Sequence, residues 1–150
     1  MADKPAGLHI RAVDLEDLSV LSSMVQDALV PPGDIAYLPS EGHFMMALNR
    51  FRWEAAGDAP PYSRTHSGLR LDKVTAVQRR GFSRWEKDKM LSLLSIAYAD
   101  DEDGGAGGGT VMLTFAGDAA IRLSVSALSV ALDDLGEPWP TEWKPGHQPD

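Results

Sequence analysis

Two short runs of alternating residues constrain the fold of this chain more than anything else in it. Val111, Leu113 and Phe115 are separated by polar or smaller residues, Gly117-Asp118 follows, and Ile121, Leu123 and Val125 return with the same period. Successive strand side chains point to opposite faces, so a period of two with one apolar phase defines a half-buried strand. A glycine-containing turn between two such runs defines a β-hairpin. The six apolar residues are therefore expected to face a core. Any fold for this chain has to begin from an antiparallel sheet with one buried face.

The remainder adds strands more than helices. Leu8, Ile10 and Val13 suggest an opening strand. Asp14 stands where a carboxylate can cap a helix N-terminus, with Glu16 and Asp17 in the first turn. Leu15, Leu18, Leu21 and Val25 then recur at helical spacing, and Pro31-Pro32-Gly33 ends the run. Asp34–Leu38 and Phe44–Glu54 read as two strands joined at Ser40-Glu41-Gly42. Residues 55–65, with Pro60-Pro61, read as a loop. Leu69 to Gln78 resumes strand character with a break at Asp72-Lys73, the mark of a bulge or a turn into a new strand. Ser83 to Glu86 has the spacing of a capping box and predicts one helical turn. Met90 to Tyr98 is apolar on both faces and predicts a central strand. Residues 100–109, acidic and then glycine-rich, read as a solvated hairpin loop.

Leu128, Ala131, Leu132 and Leu135 have helical spacing before Gly136 and Pro138, which predicts a short C-terminal helix; a strand through Leu128, Val130 and Leu132 is the competing reading. The expectation is an α+β domain over residues 1–136, with an extended Pro- and Trp-containing tail over 137–150. Its mainly antiparallel sheet, strongly curved or partly closed, is covered by the N-terminal helix.

Composition removes several classes of function. At 150 residues the chain makes one domain. A net charge of -8 argues against nucleic acid, whose binders displace counterions with a basic stripe. The dense basic cluster of Arg79, Arg80, Arg84, Lys87 and Lys89 is interrupted by Glu86 and Asp88 and reads as a solvated strand end. No apolar run approaches the ~20 residues that span a bilayer. Residues 1–7 lack the apolar core of a signal peptide, so the cytoplasm is the expected location. Cysteine is absent, which removes disulfides, thiolate nucleophiles and Cys-ligated metals. His9, His43, His66 and His147 are scattered without ligand spacing, and Gly109 leads into a strand where a phosphate loop needs a helix. No cofactor is expected. The pairs Glu16-Asp17 and Asp133-Asp134 fall on expected helices and read as capping or solubilising charges. No nucleophile elbow is present, so the sequence points away from an enzyme.

Versatile side chains are densest at Asn49, Arg50, Arg52, Trp53 and Glu54. From Arg50 onward the strand pattern predicts an exit toward water, with Arg50, Arg52 and Glu54 on one side and Phe51 and Trp53 on the other. In a structural role Trp53 closes the edge of the core, Arg50 stacks on an aromatic or pairs with Glu54, and Asn49 caps backbone groups. As a binding patch, these residue types are those enriched at hot spots and in polar pockets. Two functions are carried forward. The first is a non-enzymatic protein-binding or adaptor module that meets a partner, or a second copy, through a sheet edge or this patch. The second is a site for a small anionic ligand, bound or turned over, in the mouth of the curved sheet and gripped by Asn49 and Arg50.

Gln26-Asp27-Ala28, Gly33-Asp34 with Ala36-Tyr37-Leu38-Pro39, and Leu48-Asn49-Arg50-Phe51 with Trp53-Glu54 together resemble a bacterial family catalogued only as a domain of unknown function. Residues 91–96, Phe115-Ala116-Gly117 with Ile121-Arg122-Leu123, and Asp134-Leu135-Gly136 with Trp139 resemble it too. The resemblance spans Leu8 to Trp139 and implies no catalytic residues, because the family has none assigned. The glycine-rich acidic loop departs from its pattern.

Overall fold

The computed structural model describes residues 7–83, 89–101 and 108–145. The described residues build an 11-stranded antiparallel sheet and one α-helix. In order these are β1 (His9–Ala12), α1 (Leu15–Met24), β2 (Ala28–Val30), β3 (Ile35–Leu38), β4 (His43–Phe51), β5 (Tyr62–Leu71), β6 (Val74–Arg80), β7 (Leu91–Asp100), β8 (Gly109–Phe115), β9 (Ala120–Val125), β10 (Val130–Asp134) and β11 (Trp139–Thr141). Neighbouring strands follow the path β1-β10-β5-β4-β2-β7-β8-β9-β6, with β3 added to β4 and β11 to β5.

The path is open, but it curls. Strands β5 and β6 are joined by Asp72-Lys73 alone, yet stand six places apart along it. Lys73 takes a left-handed φ of 59°, and the chain around it is stitched to two distant loops: Val74 N–H donates to the Gly42 carbonyl, Ser126 N–H to Lys73 and Asp72 N–H to Ser129. The far end of the sheet is thereby brought back beside its first half.

The hairpin stands as its alternation requires. Strands β8 and β9 pair in register through Val111↔Leu123 and Leu113↔Ile121, and all six expected residues are buried. Gly117 and Asp118 both adopt positive φ at the turn. Gly109 opens β8 where a Cβ would lie 2.4 Å from the Ala99 carbonyl oxygen, so no larger residue fits there. Asp14 caps α1 by accepting from Asp17 N–H at 2.8 Å. Leu18, Leu21 and Val25 pack the helix onto the core, and β7 is central, between β2 and β8. Register between β7 and β8 shifts between Leu93 and Ser95, and there Ile96 N–H donates to Ser22 Oγ of the helix at 3.0 Å.

Several expectations are corrected. Residues 130–134 form strand β10 and not a C-terminal helix, because they pair with β1 on one edge and β5 on the other, and Val130, Ala131 and Leu132 are all buried. A run buried on both faces carries no unique period, so the spacing of Leu128, Ala131 and Leu132 fits either element. Leu15 lies outside the buried stripe of α1 and is 60% exposed. Strand β5 begins at Tyr62, which shortens the loop expected over 55–65. Strand β4 ends at Phe51, and Trp53 and Glu54 belong to the short 3-10 turn Trp53–Ala55. The helical turn expected from Ser83 to Glu86 lies largely outside the described residues, as does most of the glycine-rich loop. Residues Trp139–Thr141 run as β11 along β5, beyond the point where β10 leaves it.

Candidate functional site

Register sets the site. Across β10, β5 and β4 the inward face is a series of rows: Val130, Leu71 and Phe44; then Leu132, Leu69 and Met46; then Asp134, Ser67 and Leu48. The next row joins Thr65 to Arg50. Apolar side chains fill one end of this face and polar ones the other. Phe44, Met46, Leu48 and Arg50 share one phase of β4, and all four are buried. The strand therefore does not run out into water at Arg50; the guanidinium is fully buried.

Every donor of Arg50 has an acceptor. Nε and Nη2 donate to the two Asp134 oxygens at 2.8 Å each, and Nη1 and Nη2 donate to the two Glu54 oxygens at 2.9 and 2.8 Å. The remaining Nη1 hydrogen meets the Phe51 carbonyl at 3.4 Å. Asp134 is as fully used: its carboxylate also accepts from Ser67 Oγ at 2.6 Å and from Leu8 N–H at 2.8 Å. Two bidentate forks on one guanidinium give strong, directional hydrogen bonding. Burial would push the Asp134 and Glu54 carboxyls up, but hydrogen bonds from Arg50, with Ser67 and Leu8 N–H adding at Asp134, hold both below the usual carboxylate range. Burial would likewise lower the Arg50 pKa, and the two carboxylates instead raise it.

The other expected site residues make contacts apart from the two carboxylate forks of this centre. Asn49 Oδ1 accepts from Arg64 Nη1 at 3.0 Å, and the same guanidinium lies 5.9 Å from the centre of the Phe51 ring. Arg52 donates to Ser63 Oγ at 3.0 Å. Trp53 is half-buried; its indole N–H donates to the Gln26 carbonyl at 3.0 Å and its ring meets Phe51 edge-on at 4.7 Å. Phe51 and Tyr62 are packed at 5.6 Å, so these aromatics form a satellite cluster on the opposite side of β4 from Arg50. The structure divides the five expected residues between the two sides of β4: Arg50 and Glu54 join Asp134 and Ser67 on one, with Arg52 3.8 Å from Glu54, while Asn49 and Trp53 join Arg64 and Phe51 on the other. Asp134 is corrected from a solubilising charge to the principal partner of Arg50. Its signal in the sequence was its phase with Val130 and Leu132, legible only if the segment is taken as a strand.

As chemistry, the cluster is saturated. Arg50 has no donor left for a ligand, and Asp134 is 5% exposed at its side chain, so an incoming anion would have to displace a carboxylate. Among the described residues, no three His, Asp or Glu side chains converge to hold a metal ion. No helix there is long and apolar enough to cross a membrane.

The fold and cluster define a class by architecture, an open, curled antiparallel sheet with a buried arginine–carboxylate centre. The chain belongs to the family described as Protein of unknown function (DUF2948), whose model matches residues 8–147. No curated protein and no solved structure shows significant similarity to it.

A second feature lies beside α1. Val13 and Leu15, 67% and 60% exposed, line a groove of about 660 Å³ together with Tyr98, Leu128, Asp14 and Asp100. A groove of about 390 Å³ shares Leu15 and Tyr98 and continues between α1 and β7. Among the described residues, Lys73 is the single cation lining the first groove. Burial, then a hydrogen bond to Asp100, pushes the Tyr98 phenol up.

Proposed function

We propose that the protein is a non-enzymatic, cytoplasmic binding module whose groove beside α1 receives a polypeptide segment with an apolar anchor and flanking Lys or Arg. The observation that carries this reading is the exposure of Val13 and Leu15 in the lining of a groove that Tyr98, Ala127 and Leu128 also line. Two large aliphatic side chains left in water next to a concavity are the signature of a docking surface. The charge of the occupant follows from the rim. Asp14 and Asp100 line the groove, Glu16, Asp17 and Asp101 adjoin them in sequence, and the whole chain carries -8. Such a field attracts a cationic segment and disfavours nucleic acid. The absence of cysteine is consistent with a reducing compartment.

The anionic-ligand reading at Asn49 and Arg50 has less support, because the donors of Arg50 are already taken by Glu54 and Asp134. Self-association through the outer edge of β6 is disfavoured by Arg79 and Arg80, whose copies would face each other. The test uses a short peptide of alternating leucine and lysine, with a leucine–glutamate peptide as control. The lysine peptide is expected to bind, and Leu15→Glu to weaken it by about tenfold or more while leaving the fold intact. That variant adds negative charge, so a loss separates apolar docking from general attraction. Equal binding of both peptides, or unchanged affinity in Leu15→Glu, would overturn the reading.

A further inference from the structure

Eight arginines fall among the described residues, and they divide sharply. Arg11, Arg50, Arg52, Arg64 and Arg70 each donate to a side-chain oxygen. Among the described residues, no hydrogen bond or ion pair is made by Arg79, Arg80 or Arg122, although the chain holds 22 Asp and Glu against 14 Lys and Arg. These three gather at one place. With Gln78, Met112 and Ala120 they line a groove of about 240 Å³ on the β6–β9 side of the sheet, and no carboxylate among the described residues lines it.

Register brings two of them onto one face. Arg122 stands opposite Gln78, and Arg80 opposite Ala120, so Arg80 and Arg122 are diagonal neighbours on the face turned from the core. Arg79 lies 6.0 Å from the centre of the Phe82 ring, which holds its guanidinium near the strand end. Cationic residues on an outer strand often serve only to deter edge pairing, and β6 is an outer strand. That explanation fails for Arg122. Its strand, β9, is paired on both sides, by β8 and β6, and has no edge to guard. As diagonal neighbours, the two guanidinium groups stand within reach of one small anion placed between them.

We infer that this groove binds the phosphate group of a small molecule, a phosphate monoester held between Arg80 and Arg122 with Arg79 at its border. Guanidinium forks match the oxygens of a phosphate dianion in pairs. The volume is below the roughly 300–1,000 Å³ of a drug-sized ligand site, which suits a phosphate head and little more. A long polyanion is disfavoured by the overall charge of -8, whose repulsion grows with each added phosphate, whereas a single head group meets chiefly the local cations.

The test is an amide-resolved NMR titration of the whole chain with glycerol phosphate, beside sodium chloride of matched ionic strength and an oligothymidylate. Saturable shifts are expected at residues 78–80 and 120–122, absent with chloride. Arg80→Gln and Arg122→Gln are each expected to weaken binding by about tenfold, while Arg11→Gln, at an ion-paired site on β1, leaves it unchanged. Shifts that do not saturate, that match chloride, or that persist in Arg122→Gln would overturn the assignment. Oligothymidylate binding much tighter than the monoester would overturn the small-molecule class.

Discussion

Arg50 and Asp134, 84 positions apart in the chain, are locked side by side by two hydrogen bonds of 2.8 Å on the inward face of the sheet. One belongs to β4 and the other to β10, and β5 runs between them, carrying Ser67 to the same carboxylate. The pair therefore fixes the spacing of three strands at the end of the sheet where apolar side chains give out. Glu54, on the turn after β4, holds the same guanidinium and so ties the strand exit to this centre. Arg50 and Glu54, which read in sequence either as a structural pair or as part of a half-exposed patch, belong to this clamp.

Acid is expected to loosen this clamp. Asp134 and Glu54 have native pKa values below their ordinary 3.8 and 4.5, so their protons bind more readily to the unfolded chain. Their stabilisation is fully present above those ordinary values and is lost as pH falls from them through the depressed native ones. Urea midpoints measured from pH 7 down to pH 2 should fall across that window. In Arg50→Met the acid-dependent loss should shrink, because the carboxylates are then no longer held low.

Leu113→Ala removes a side chain with no exposure from the centre of the hairpin. A loss of about 2–5 kcal/mol is expected in a denaturant titration. A change within measurement error would show that the site is not packed as described.

The hairpin and the helix cap were legible because each rests on a local pattern. One buried face gives Val111 to Val125 a clean period of two, and a carboxylate at Asp14 precedes an apolar stripe. Strand β10 was not legible in that way, because burial on both faces removes the period that separates strand from helix. The centre of the candidate site was half legible. Pairing of Arg50 with Glu54 is a short-range reading, whereas Asp134 is brought in by register, a long-range property. Arg50 itself continued the phase of Phe44, Met46 and Leu48, but an arginine in a buried phase reads as an exit from the core until its counter-charges are known. Leu15 was misplaced for the opposite reason: the stripe of α1 is apolar for one residue beyond the surface that it covers.

Asp14→Ala should cost about 1 kcal/mol, since Asp17 N–H loses the carboxylate that caps it. Asp14→Ser should restore most of it. Thermal midpoints of the two variants check the difference.

The clamp itself is tested most directly by a double-mutant cycle of Arg50→Met and Asp134→Leu, read from urea unfolding at neutral pH. Arg50→Met alone leaves the Asp134 carboxylate buried without its counter-charge and should destabilise by about 3–5 kcal/mol. Replacing both removes the stranded charge, so the double variant should be more stable than the sum of the single losses predicts, with a coupling of about 1–3 kcal/mol. Losses that add to within about 0.5 kcal/mol would contradict the claim that these two residues act as one structural unit.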